Sequence, residues 1–205
     1  MKTISLTILS VAGLIINSCY AGDLNLSAGP GGVMLDAGEA GKFTLPPPKL
    51  LVEGGNPKGE EGILEVADEK TLTVKYDKAS ATITLDAAAH SLTYALVPQA
   101  GVKSLRVLLV IPITFAQGGQ YSFGGKALKP LPATQGDQFV EQTGTTDFTL
   151  INSSNAGFTL TSPQTFQELA DTRLFGMDRF VYAVFLKADT NDNKWTLKFS
   201  APKLP

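Results

Sequence analysis

The sequence predicts an all-β protein: a single antiparallel β-sandwich of jelly-roll or supersandwich type with roughly a dozen strands. Short segments of alternating apolar and polar residues recur at a spacing of roughly ten residues, which is typical of sandwiches and related barrels. Twenty glycines, twelve prolines and only 18% charged residues suit a protein of strands and turns. The segment Phe180–Leu186 is apolar on both alternating faces and therefore predicts an inner strand.

Residues 1–21 have the pattern of a secretory signal peptide. Lys2 provides a positive charge, and the apolar run Ile4–Ile16 has the length of a signal-peptide core rather than of a membrane span. Small residues at positions 19 and 21 predict cleavage after Ala21. Residues 22–205 would then form one β-sandwich domain in the periplasm or outside the cell.

Cys19 is the only cysteine of the chain. The sequence Ile16-Asn17-Ser18-Cys19 resembles a bacterial lipobox, so lipidation of Cys19, which would give a membrane-anchored lipoprotein, is the alternative to soluble export. In either case the mature chain has no disulfide, which fits an envelope or secreted domain large enough to rely on its core.

The charge of the chain gives no reason to expect nucleic acid or anionic lipid as a partner. The formal net charge of −2 becomes −3 when Lys2 is removed with the leader. We expect no cofactor and no membrane span.

Most strands follow directly from the alternation of side chains. Thr71–Tyr76 and Ala81–Leu85 alternate almost perfectly, with threonine and lysine toward solvent and apolar residues toward a core, and Asp77-Lys78 predicts the hairpin turn between them. Leu105–Ile113 is the most hydrophobic segment after the leader and is predicted to be central. A single helical turn is expected at Thr165–Asp171 or at Ala87–His90. Further strands are predicted at Val33–Leu35, Gly41–Leu45, Lys49–Glu53, Gly62–Ala67, Ser91–Val97, Gln120–Phe123, Phe139–Val140, Asp147–Ile151, Phe158–Thr161, Arg179–Lys187 and Trp195–Phe199.

Candidate binding residues lie at three places. Asp171 and Arg173 predict either a local ion pair that orders the turn into the next strand, or a sugar site in which both bind hydroxyl groups. Tyr121 and Phe123 lie between two pairs of glycines and are candidates for an exposed aromatic platform. Trp195 can stack on a pyranose if it is exposed, but the alternation of its strand favours the core.

No catalytic residue and no metal site are predicted. His90 is the only histidine, which excludes multi-histidine metal sites and leaves one candidate for a histidine-dependent triad. Asp189, Asn191 and Asn193 have the spacing of the first ligands of a helical calcium loop. Lys194 and Ser200 replace the glycine and glutamate that such a loop needs, so a turn rich in Asp and Asn explains the same residues.

A series of short motifs runs through the C-terminal half of the chain. They are Ile111-Pro112, the Gly-Gly-x-Tyr-x-Phe-Gly-Gly run at 118–125, Leu131-Pro132, Gly157-Phe158-Thr159-Leu160 and Asp171-x-Arg173 before an apolar strand. This rhythm resembles β-sandwich domains of secreted bacterial proteins associated with polysaccharide use. The resemblance implies a sandwich in an export context with a possible glycan partner, and it supplies no catalytic residue.

Three classes of function follow from these patterns. We expect an exported, non-catalytic module that binds a glycan or an envelope protein. The alternatives are a structural or assembly protein that pairs through its sheet edges, and a small glycan-active hydrolase or lyase with acids spread over a sheet face.

Overall fold

The computed structural model describes residues 24–188 and 192–204. The predicted leader with Cys19, and Asp189 and Asn191 of the last turn, lie outside the described residues. The described chain forms seventeen strands in two antiparallel sheets, which confirms the predicted β-sandwich and exceeds the number of strands predicted. In chain order these are β1 Leu24–Gly29, β2 Gly32–Ala37, β3 Lys42–Leu45, β4 Lys49–Val52, β5 Ile63–Val66, β6 Thr71–Tyr76, β7 Ala79–Asp86, β8 Ser91–Pro98, β9 Val102–Pro112, β10 Gln120–Phe123, β11 Lys129–Pro130, β12 Phe139–Gly144, β13 Asp147–Ile151, β14 Gly157–Thr161, β15 Phe166–Asp171, β16 Arg179–Lys187 and β17 Lys194–Ser200.

The first sheet, called sheet I, is built around two long strands. Its order is β1-β2-β3-β9-β16-β15-β12, and β4 pairs with β9 next to β3. β9 and β16 pair in register from Ser104 opposite Lys187 to Pro112 opposite Arg179. Because each has partners on both edges, the predicted inner position of Phe180–Leu186 and the predicted central position of Leu105–Ile113 are confirmed.

The second sheet, called sheet II, has the order β11-β10-β13-β14-β17-β8-β7-β6-β5. Its hairpin β6–β7 closes with Tyr76 opposite Ala79, so Asp77-Lys78 forms the predicted two-residue turn. The last strand, β17, lies between β14 and β8. Central strands of this sheet therefore come from distant parts of the chain.

The two sheets pack their inner faces into one core. Phe148 of β13 stacks on Tyr182 of β16 with ring centroids 4.3 Å apart, and Phe43 of β3 meets Phe158 of β14 edge-on at 5.0 Å. Such pairs stabilise a core beyond the area that they bury. Each joins sheet I to sheet II, so the aromatic rings fix the spacing of the two layers.

The interpretation of Thr165–Asp171 as a helical turn is wrong, because most of this segment is the strand β15. β15 pairs with β12 on one edge and β16 on the other. Its polar residues Gln167 and Glu168 are both buried, so the strand lacks the alternation that identifies a half-exposed strand. Within residues 24–188 and 192–204, no helix is long and apolar enough to cross a membrane.

Candidate functional site

Asp171 and Arg173 form a buried ion pair at one end of the sandwich. The Arg173 Nε donates to Asp171 Oδ1 at 2.9 Å and the Nη2 donates to Oδ2 at 2.6 Å. The guanidinium also lies over the ring of Phe180, 5.0 Å from its centroid. Only 1% of the Asp171 side chain and 13% of the Arg173 side chain are exposed.

The same guanidinium holds the loop that follows β11. Its terminal nitrogens donate to the carbonyl oxygens of Pro132 at 2.9 Å, Ala133 at 3.0 Å and Thr134 at 3.0 Å. A planar fork of five donors is suited to hold several acceptors at once. The ion pair between Arg173 and Asp171 is the one that the sequence predicted, whereas the connection that Arg173 makes from sheet I to a loop at the edge of sheet II was not predicted.

The electrostatics of the pair follow from these contacts. Burial of the Asp171 carboxylate acts to raise its pKa, but hydrogen bonds from Arg173 and the charge of Arg173 outweigh it, and the pKa of Asp171 lies below its usual value. The hydrogen bond to Asp171 raises the pKa of Arg173. Both groups are charged in the folded protein, and their polar atoms face each other and the loop.

The prediction that Tyr121 and Phe123 form an exposed platform is wrong in its geometry. Both side chains are on the inner face of β10, with 4% and 1% exposure, because β10 pairs with β11 and β13 and its alternation turns both rings into the core. Burial, together with the charge and hydrogen bond of Glu141, raises the pKa of Tyr121 to about 12. Trp195 is also buried, as the alternation of β17 favoured. A ligand-binding role for these residues stays a prediction.

A different group of polar and aromatic side chains lies on the outer face of sheet I. We call it the Arg106 cluster. The guanidinium of Arg106 on β9 donates to Glu168 Oε1 on β15, and the amide of Gln142 on β12 donates to Glu168 Oε2 at 3.4 Å. The Arg106 guanidinium lies 5.5 Å from the ring centroid of Phe185, which in turn meets Phe166 edge-on at 5.0 Å.

Strand register brings the Arg106 cluster together. Arg106 is opposite Phe185 of β16, while Glu168 is opposite both Ala183 of β16 and Gln142 of β12. Arg106 therefore reaches diagonally across β16 to Glu168. The small, fully buried side chain of Ala183 leaves room for this contact.

The exposure of the Arg106 cluster is uneven. Glu168 is 4% exposed although it belongs to an outward face, whereas Phe166 is 49% exposed. The buried Nε of Arg106 has no hydrogen-bond acceptor among the described residues. The ring of Phe185 thus lies between the half-exposed ring of Phe166 and the guanidinium of Arg106.

The sequence alone did not indicate the Arg106 cluster. Its alternation places Val181, Ala183 and Phe185 on one face of β16, but nothing local shows which strands flank them. Arg106 and Glu168 are 62 positions apart, and only the order of the strands makes them neighbours.

No cluster of three or more residues able to bind a metal ion occurs in the described part of the chain. No model of a known protein family matches the chain, and no curated protein matches it either.

Proposed function

We propose that this protein is an exported, non-catalytic β-sandwich module that binds a neutral glycan on the outer face of sheet I. The observation that carries the proposal is the Arg106 cluster, in which the half-exposed ring of Phe166 contacts Phe185, and the Arg106 guanidinium lies over the ring of Phe185. The signal-peptide pattern of residues 1–21 supports export.

The chemistry of the cluster suits a sugar ring. An aromatic ring offers an apolar surface on which the apolar face of a pyranose can stack, and Phe166 is the exposed ring of this group. The exposed amide of Gln142 and the part-exposed guanidinium of Arg106 are donors for sugar hydroxyl groups. A few polar groups beside an apolar surface are typical of small-ligand sites.

Local charge favours a neutral glycan over an acidic one. Arg106 is paired with Glu168, and the neighbouring Lys49 is paired with Glu61 at 2.9 Å. Both of these cations therefore have their own carboxylate among the described residues, and neither is free to pair with a uronic acid.

The same pairing supports a binding role rather than catalysis. Both oxygens of Glu168 accept hydrogen bonds from side chains of the protein. A glycosidase needs a pair of carboxylates that can protonate the leaving group and activate water or attack the sugar. The carboxylate of Glu168 instead holds the side chains of Arg106 and Gln142 in place.

The proposal is tested with a glycan array and polysaccharide pull-down, using the processed protein that is expected to begin at Gly22. We expect Phe166→Ala to weaken binding by about tenfold, which corresponds to about 1.4 kcal/mol, and Gln142→Ala to weaken it less. Phe175→Ala is the matched control, because Phe175 is another half-exposed phenylalanine that does not belong to the cluster. Equal binding by the Phe166→Ala variant and the wild type, or no binding across a broad panel, would refute the site.

A further inference from the structure

A second exposed feature lies in the turn between β15 and β16. Leu174, Phe175 and Met177 are 50%, 49% and 41% exposed, and they occur within four consecutive positions of the chain. We call these three residues the apolar tip. Exposed apolar residues scattered singly are normal on a protein surface, but three large ones on one short turn indicate an interaction site.

The backbone that carries the apolar tip is held firmly. Residues Thr172–Phe175 form a 3-10 turn, which Asp171 caps by accepting from the Arg173 N–H at 3.1 Å. Gly176 closes the turn in the left-handed conformation at φ 73°, and the hydroxyl of Thr172 donates to the Arg179 carbonyl at 2.7 Å. The tip therefore presents its side chains on a fixed frame.

Two cations accompany the apolar side chains. Lys58 Nζ lies 5.7 Å from the ring centroid of Phe175, and Arg179 Nη2 lies 3.1 Å from Met177 Sδ. Both cations are exposed. The acidic residue of this turn is Asp178, and its negative charge contributes to raising the pKa of Arg173. Lys58 and Arg179 have no carboxylate partner among the salt bridges of the described residues.

We infer that the apolar tip contacts a bilayer that contains anionic lipid. Apolar side chains accompanied by Lys or Arg bind at the boundary between headgroups and acyl chains, and the cations add attraction to anionic headgroups. The net charge of the whole chain is negative and therefore gave no indication of binding to anionic lipid. The local arrangement around Lys58 and Arg179 differs from that average.

The size of the tip favours a membrane over a protein partner. A stable protein interface engages about 20–30 residues on each side, far more than this turn offers. A bilayer surface has no shape to match, so a few inserted side chains with nearby cations are sufficient for reversible binding.

The test is co-sedimentation of the processed protein with vesicles of phosphatidylglycerol and phosphatidylcholine, and with vesicles of phosphatidylcholine alone. We expect binding to the anionic vesicles, weaker binding to the neutral ones, and a decrease as salt rises. The double variant Leu174→Ala/Phe175→Ala should lower the bound fraction about fivefold or more. Phe166→Ala, which alters the Arg106 cluster, should leave it unchanged.

A second double variant, Lys58→Gln/Arg179→Gln, tests the cations independently of any effect of the apolar substitutions on folding. It should remove the preference for anionic vesicles and leave the melting temperature unchanged. Absence of binding to either vesicle, or undiminished binding by both double variants, would overturn the inference. In the first of these cases the tip would be a candidate protein contact instead.

Discussion

The guanidinium of Arg173 binds Asp171 at the end of β15, lies over the ring of Phe180 and donates to carbonyls of the loop at residues 132–134. At the scale of a single residue, these contacts explain how an arginine can be largely buried: its donors have hydrogen-bond partners, so burial does not carry the free-energy penalty of unpaired polar groups. Its charge is balanced by Asp171, and its other donors bind the backbone carbonyls of residues 132–134.

Replacement of Arg173 by alanine is expected to lower the free energy of unfolding by about 3 kcal/mol, because it leaves the Asp171 carboxylate buried and unpaired. Urea denaturation followed by circular dichroism measures this loss. Arg179→Ala is the control, since Arg179 is exposed, and it should change stability by less than about 0.5 kcal/mol. A loss below about 1 kcal/mol for Arg173→Ala would show that the pair contributes little to stability.

The sheet elements depend on close approach of neighbouring strands as well as on side-chain pattern. β13 and β14 pair with Ile151 opposite Gly157. A methyl group on Gly157 would meet the carbonyl oxygen of Leu150, whereas one on Gly144 at the end of β12 would meet nothing within 4 Å. The two glycines therefore have different roles although both lie in strands.

We predict that Gly157→Ala destabilises the protein by about 1–3 kcal/mol, because the backbone of β13 must shift to accept the methyl group. Gly144→Ala should be neutral or slightly stabilising, because alanine restricts the unfolded chain. Thermal unfolding of the two variants side by side provides the comparison. Equal melting temperatures for the two variants would show that β13 and β14 can move apart to accept the methyl group without a loss of stability.

The elements that could be predicted from the sequence are strands in which apolar and polar residues alternate, and strands that are apolar on both faces. β6 and β7 are of the first kind, and their turn at Asp77-Lys78 was predicted together with them. β15 could not be predicted, because Gln167 and Glu168 are buried. Gln167 donates to the carbonyl of Thr145, between β12 and β13, and Glu168 accepts from Gln142 of β12. Pattern alone treats such residues as exposed.

For the whole molecule, the sequence predicted two layers but not which residues meet on their outer faces. The Arg106 cluster depends on the order β9-β16-β15-β12, and no local signal encodes that order. Asp171 and Arg173 were predicted because they are neighbours in sequence. Their contacts with the carbonyls of residues 132–134 were not, since these depend on a loop about 40 positions away.

Two carboxylates couple the stability of the whole molecule to pH. Burial acts to raise the pKa of Asp147, but its hydrogen bonds and the charge of Lys203 hold the pKa below the usual value of 3.8, as Arg173 does for Asp171. A carboxylate with a depressed pKa in the folded state stabilises the fold at pH above about 4, and this stability is lost as the pH falls through the folded value.

We therefore expect the free energy of unfolding to be level near neutral pH and to decline below about pH 4. Urea titrations at a series of pH values measure this dependence. Asp171→Asn should flatten the acid decline as well as lower the plateau, whereas Asp77→Asn, in the exposed β6–β7 turn, should match the wild type. An unchanged acid slope in Asp171→Asn would contradict the assignment.

The position of β17 between β14 and β8 has a consequence for the time course of folding. Thr93 and Thr196, whose hydroxyls lie 3.1 Å apart across β8 and β17, are separated by 103 positions. Pairings of this kind form slowly, because the entropy of closing a long loop is lost before the contacts between the strands stabilise it. Sheet II cannot be completed until β17 has emerged from the ribosome. For a chain proposed to cross a membrane, sheet II is therefore still incomplete while the segments before β17 are exported.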